Sequence, residues 1–130
     1  KIEGNVPAGA GQKAGGYVLE NITIDNSYKT GIDMNGVSGA TLTDITVTNT
    51  VSGNAISATD SANITMTNIT TSGNAWGGVA FYSFGNAYPP ADATGMVING
   101  TNSFGETFPV YYQMPVAGNP IGIDVSTDLP

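Results

Sequence analysis

Tyr17-Val-Leu-Glu-Asn-Ile-Thr-Ile-Asp-Asn26 lines up with Ala40-Thr-Leu-Thr-Asp-Ile-Thr-Val-Thr-Asn49, and less closely with Ile64-Thr-Met-Thr-Asn-Ile-Thr-Thr-Ser-Gly73. The offset is about 23 to 24 residues, and a fixed period of that size marks a stack of similar structural units. Apolar residues recur at equivalent places: Leu19, Ile22 and Ile24; Leu42, Ile45 and Val47; Met66 and Ile69, with Thr71 in the third position. The spacing of two from Ile22 to Ile24 and from Ile45 to Val47 is the strand period. The step of three from Leu19 to Ile22 breaks that alternation at the same point in every copy, which predicts a corner there.

A second apolar pair follows each copy: Ile32 and Met34, Ile56 and Ala58, Val79 and Phe81. Small residues precede each pair (Gly31, Asn54-Ala55, Gly77-Gly78), and Gly and Asn tolerate the backbone angles that corners require. Short strands cornered in this way describe one turn of a solenoid, whose inner face is buried only by its neighbours. A helical alternative fails because Thr-Leu-Thr-Asp-Ile-Thr-Val-Thr is rich in β-branched residues and poor in helix formers. A β-sandwich gives no reason for equivalent side chains to recur at one offset. The expected fold is therefore all-β, a parallel β-helix of about three regular coils between Gly16 and about Gly85, followed by an enlarged C-terminal coil.

Within one domain of 130 residues, residues 1–15 read as a Gly/Ala-rich arm or linker and residues 16–130 as the β-helix domain. The period lapses after Phe84, so a loop is expected near residues 83–95. Met96-Val-Ile98 and Pro109-Val-Tyr-Tyr112 supply a fourth, enlarged coil, and Ile121 to Val125 either begin a fifth or close the end. A chain that begins at Lys1 rather than Met reads as a processed or excised piece.

Net charge is −7, from three lysines against ten carboxylates, with no Arg and no His. That balance repels phosphate backbones and offers no basic cluster for anionic lipid, so neither nucleic acid nor membrane insertion is expected. With no cysteine, stability must come from packing or from a partner. The Thr/Asn/Gly/Ser-rich, Lys-poor composition points to an extracellular or cell-surface location.

The runs Leu-Glu-Asn-Ile-Thr-Ile-Asp-Asn (19–26), Gly-Ile-Asp-Met-Asn-Gly (31–36) and Leu-Thr-Asp-Ile-Thr-Val-Thr-Asn (42–49) resemble the right-handed parallel β-helix repeat superfamily. That superfamily holds pectate lyases, polygalacturonases, phage tailspikes and bacterial surface proteins, and the chain is similar to its non-enzymatic surface-protein branch. The resemblance implies a ladder of corner asparagines, matched by Asn26 and Asn49 but not by Gly73. Its lyases use calcium-binding carboxylates with an Arg or Lys base. This chain has no Arg, and Lys29 lies in a turn. Its polygalacturonases use Asp with His and a basic residue, a set this chain cannot assemble. Carboxylate pairs Asp25/Asp33 and Asp44/Asp60 are conceivable, yet Asp25 is equivalent to Thr48 and Ser72, Asp33 to Ser57 and Ala80, and Asp44 to Asn21 and Asn68, which reads as interchangeable outward positions. No calcium-loop spacing appears, so no catalytic residue, metal or cofactor is assigned.

Three surface features remain. Stacked threonines (Thr41 and Thr43 over Thr65 and Thr67; Thr23 over Thr46 and Thr70) form a regular outward array that Glu20 interrupts. Such an array is either an ice-like lattice or an ordinary use of a β-branched polar residue. Late aromatics either close the end of the solenoid or form a stacking platform for polysaccharide, with Trp76, Tyr82 and Tyr88 as the candidate carbohydrate contacts. An open first coil needs a cover, which makes the solenoid ends and the arm residues Ile2, Val6 and Pro7 candidates for self-association. The function expected is a non-catalytic extracellular structural or adhesive module, extended to a filament subunit by end-to-end stacking. The alternative is a carbohydrate-binding module or a fragment of a polysaccharide-active β-helix protein.

Overall fold

The computed structural model describes residues 1–3, 15–82, 95–112 and 123–125. In chain order its strands are β1 (Ile2–Glu3), β2 (Tyr17–Asp25), β3 (Ile32–Asn35), β4 (Ser38–Thr48), β5 (Ile56–Thr59) and β6 (Ala62–Ser72). β7 (Val79–Tyr82), β8 (Met96–Asn99), β9 (Ser103–Phe104), β10 (Val110–Tyr112) and β11 (Ile123–Val125) complete the set. From β2 to β8 the chain alternates between two sheets. One runs β1-β3-β5-β7-β10 and the other β11-β8-β6-β4-β2, with β9 alongside β6. Every pairing is parallel, so the chain winds as a parallel β-helix.

The register is the one the repeat predicts. Leu19 pairs with Leu42 and Leu42 with Met66; Ile22 pairs with Ile45 and Ile45 with Ile69. In the other sheet Ile32 pairs with Ile56 and Ile56 with Val79. These side chains face inward and make the core, where Leu42, Ile45, Val47, Met66, Ile69 and Phe81 are wholly buried. Thr71 is the polar member of the inward rows, and its hydroxyl donates to the Glu106 carboxylate at 2.6 Å.

The predicted corner between Leu19 and Ile22 takes another form. β2 continues through it, and the interruption is one residue in the left-handed backbone region, Asn21 at φ 56°. Asp44 (55°) in β4 and Asn68 (57°) in β6 repeat it, as does Gly100 (78°) directly after β8. A second such column holds Asn26 (57°), Asn49 (56°) and Gly73 (68°), at the turn that leaves the same sheet. A left-handed residue places Cβ close to a carbonyl oxygen, so only Gly, Asn and Asp occupy these positions readily. Asn21→Ala should therefore cost roughly 1–2 kcal/mol and Asn21→Gly distinctly less, read as urea midpoints. Equal losses would show that the backbone angle is not what the position requires.

Ile2, expected in a free arm, lies in β1 beside Met34 of β3 and packs against the core. Val6 and Pro7 lie outside the described residues, as does most of the loop expected near residues 83–95.

Candidate functional site

Four turns lead from the longer sheet to the shorter one, at residues 26–31, 49–55, 73–78 and 105–109, and they stack on one another. The Val51 N–H donates to the Ser27 carbonyl, the Ala75 N–H to Thr50 and the Gly78 N–H to Phe108. Backbone sharing of this kind holds each turn as firmly as a strand.

Tyr28 in the first turn is exposed, and the other exposed aromatics lie in the last two turns and the strand β10. Trp76 is 62% exposed and Phe108 64%, while Phe81 and Phe104 are buried in the core. The late aromatics thus divide between closing the core and lining the surface. Trp76, Tyr82, Phe108 and Tyr111 line one cleft of about 330 Å3. Register brings Tyr111 there, because β10 pairs with β7 so that Tyr111 lies beside Ala80, next but one to Tyr82. The Tyr82 and Tyr111 rings sit 5.9 Å apart at 53°, a tilted arrangement that aromatic pairs favour. Tyr82 is oriented by its hydroxyl, which donates to the Asn54 Oδ1 at 2.9 Å, and burial pushes its ionisation above the usual tyrosine range.

A second cleft of about 490 Å3 adjoins the first, with Trp76 and Phe108 common to both. Its other lining residues are polar or small, among them Asn74, Glu106 and Thr107. Its floor is a network that sequence reading missed. Glu106 accepts from the Thr71 hydroxyl (2.6 Å), the Asn74 side-chain amide (2.6 Å) and the Asn74 N–H (3.4 Å). Asn74 in turn accepts from the Thr50 N–H at 3.1 Å and donates to the Val47 carbonyl at 3.0 Å. The one signal available was the run Ser-Gly-Asn-Ala, present at 52–55 and again at 72–75.

Of the three residues singled out for sugar contact, Trp76 and Tyr82 meet in the aromatic cleft, and Tyr88 lies outside the described residues. The carboxylates weighed as pairs have other partners and positions. Asp33 accepts from Asn35 (2.8 Å) and Ser57 (3.0 Å), and Asp44 and Asp60 hold left-handed backbone positions. Among the described residues no group of three or more His, Cys, Asp or Glu is placed to hold a metal ion.

Asp25 replaces the expected direct Asn26–Asn49 ladder with a carboxylate link. Asn26 and Asn49 both donate to it at 2.8 Å, and the Thr48 hydroxyl donates at 2.6 Å. The Thr48, Asn49 and Asn26 bonds, outweighing a smaller opposing effect of burial, hold the carboxyl below the usual aspartate range. A carboxyl depressed in the folded state stabilises it above the unfolded pKa, and the contribution fades as pH falls through the folded pKa. Melting temperatures of wild type and Asp25→Ala should accordingly differ at pH 6 and converge as pH drops below the ordinary aspartate value of 3.8. A gap that does not narrow at all between pH 6 and pH 2 would mean that the carboxylate charge is not what Asp25 supplies.

The threonine rows align as expected, Thr41 beside Thr65 and Thr46 beside Thr70. The Thr48 hydroxyl is spent on Asp25 and the Thr67 hydroxyl on Asn99, and Val18 heads the Thr41 row. A uniform hydroxyl lattice is not what this face presents.

Residues 9–88 match the family model described as "Right handed beta helix region". No curated protein and no solved structure matches the chain.

Proposed function

The chain belongs to the right-handed β-helix family, and on that premise we propose that it is a non-catalytic extracellular module that binds uncharged glycans at the Trp76 cleft. The observation that carries this is the cleft itself: Trp76, Tyr82, Phe108 and Tyr111 together, beside a polar cleft that shares two of those rings. Sugar rings offer apolar faces and hydroxylated edges, and aromatic side chains with polar tips answer both. The two cavities, at about 330 and 490 Å3, fall in the size range of small-ligand sites.

An uncharged ligand is favoured because, among the described residues, no cation lines either cleft and the polar one contains the Glu106 carboxylate. A uronate chain would meet a protein of net charge −7, with no cation among the described residues lining the clefts to neutralise it. The non-catalytic reading is supported by the lack of any Arg or His in the chain, which leaves the family's hydrolase residue set unfilled and its lyase set with lysine as the sole base. The extracellular assignment rests on the composition. Titration against matched neutral and uronic oligosaccharides tests the proposal: saturable binding to a neutral member is expected, and failure to bind any sugar in a broad panel refutes it.

One further observation favours self-association as a second activity. Leu19, Ile22 and Ile24 of β2 are only partly buried, whereas Leu42, Ile45 and Val47 one strand inward are wholly so. End-to-end stacking of a second copy would complete that burial. Sedimentation at several concentrations should show association, and a strict monomer throughout removes this second activity.

A further inference from the structure

Among the described residues, four of the seven exposed large apolar side chains fall in the four stacked turns. Tyr28 (72% exposed), Val51 (59%), Trp76 (62%) and Phe108 (64%) each come from a different one of the four stacked turns. They therefore make a stripe along one corner of the solenoid. Three strand spacings of 4.7–4.9 Å give it a length of about 14 Å along the axis. Side chains that project from successive turns of one solenoid corner follow the axis, because the backbone bonds that tie Val51 to Ser27, Ala75 to Thr50 and Gly78 to Phe108 fix the turns in register.

We infer that the ligand is a linear glycan chain lying parallel to the solenoid axis over this corner, with Tyr28 as a distal contact that only longer chains reach. The inference rests on glycan binding at the Trp76 cleft and adds the direction and extent of the site. Three features support it. Tyr28 and Trp76 stand two strand spacings apart, roughly 10 Å, so a sugar stacked on the indole does not also cover Tyr28. The turn between them, at residues 49–55, carries no charge that would need desolvation. At the distal end the Lys29 ammonium lies 5.7 Å from the Tyr28 ring centroid, which adds a donor for a hydroxyl beside an aromatic surface. A branched or globular ligand would use the cleft but not the stripe.

The test compares linear neutral oligosaccharides of the gluco-, xylo- and manno- series at two and six units, on wild type, Trp76→Ala and Tyr28→Ala. Tyr28→Ala should weaken the best six-unit ligand by roughly fivefold and leave its two-unit counterpart unchanged. Trp76→Ala should weaken both lengths. Because Tyr28 is exposed, its variant should melt with wild type, which separates a lost contact from a lost fold. Six-unit affinity that ignores Tyr28→Ala while responding to Trp76→Ala overturns the axial path and leaves the cleft assignment standing. Equal weakening of both lengths by Tyr28→Ala also overturns it. Binding of no oligosaccharide overturns both.

Discussion

Phe81→Ala is expected to lower the unfolding free energy by about 3–5 kcal/mol, a large share of the 5–15 kcal/mol that a domain of this size usually has. Phe81 is wholly buried and sits in β7, between Ala58 of β5 and Tyr112 of β10. Alanine at 58 leaves room that the phenyl ring fills, so truncation opens a cavity between neighbouring turns rather than at a surface. Each turn of a solenoid is stabilised by its neighbours, and the loss therefore reaches the packing on both sides. Equilibrium urea unfolding monitored by circular dichroism measures the change. A loss below about 1 kcal/mol would contradict a core filled from the β7 side.

Trp76→Ala should have the opposite profile, with a large effect on binding and little on stability. The ring is 62% exposed, so its removal should leave the melting temperature nearly unchanged. Tryptophans at the centre of binding surfaces commonly contribute about 2 kcal/mol or more, which corresponds to roughly a 30-fold weakening of glycan affinity. Trp76 is the only tryptophan in the chain, so its fluorescence reports directly on occupancy of the cleft. A saturable emission change that tracks calorimetric binding is expected. Unchanged emission at saturation would move the site away from the indole.

The core was legible because inward positions are constrained by packing and the repeat displays the constraint several times. Leu19, Leu42 and Met66 could be superposed from sequence alone, and they pair in that order. The left-handed column was hidden, because Asn21, Asp44 and Asn68 look like ordinary outward polar residues unless their backbone angles are known. The same ambiguity made Asp44 resemble half of a carboxylate pair.

At the site, Trp76 and Tyr82 stood out as late aromatics, but their partners did not. Phe108 and Tyr111 reach the cleft through the pairing of β10 with β7, after the stretch in which the period lapses. Glu106 has no counterpart in the earlier repeats, so comparing copies could not reveal it. Its role follows from the inward hydroxyl of Thr71 and the buried amide of Asn74, whose side chains need acceptors away from water.

The left-handed columns also set a rule for how the chain tolerates gain and loss of length. Asp44 and Asn68 are 24 residues apart and hydrogen-bond directly, whereas Thr67 and Asn99 are 32 apart and still meet across neighbouring strands. The extra residues have entered between Tyr82 and Gly95, clear of the two columns at Asn21 and Asn26. Gly73 and Gly100 lie hard against the side-chain oxygens of Asn49 and Asn68, where a Cβ would need the same space, so each column is a fixed stack of interlocking parts. A single-residue deletion inside a strand would throw every later column out of step. Whole-turn duplications and insertions at the residue 83–94 junction preserve the phase. The molecule is thus built to lengthen in units, much as a spiral stair gains height by whole flights while its landings alone vary in size.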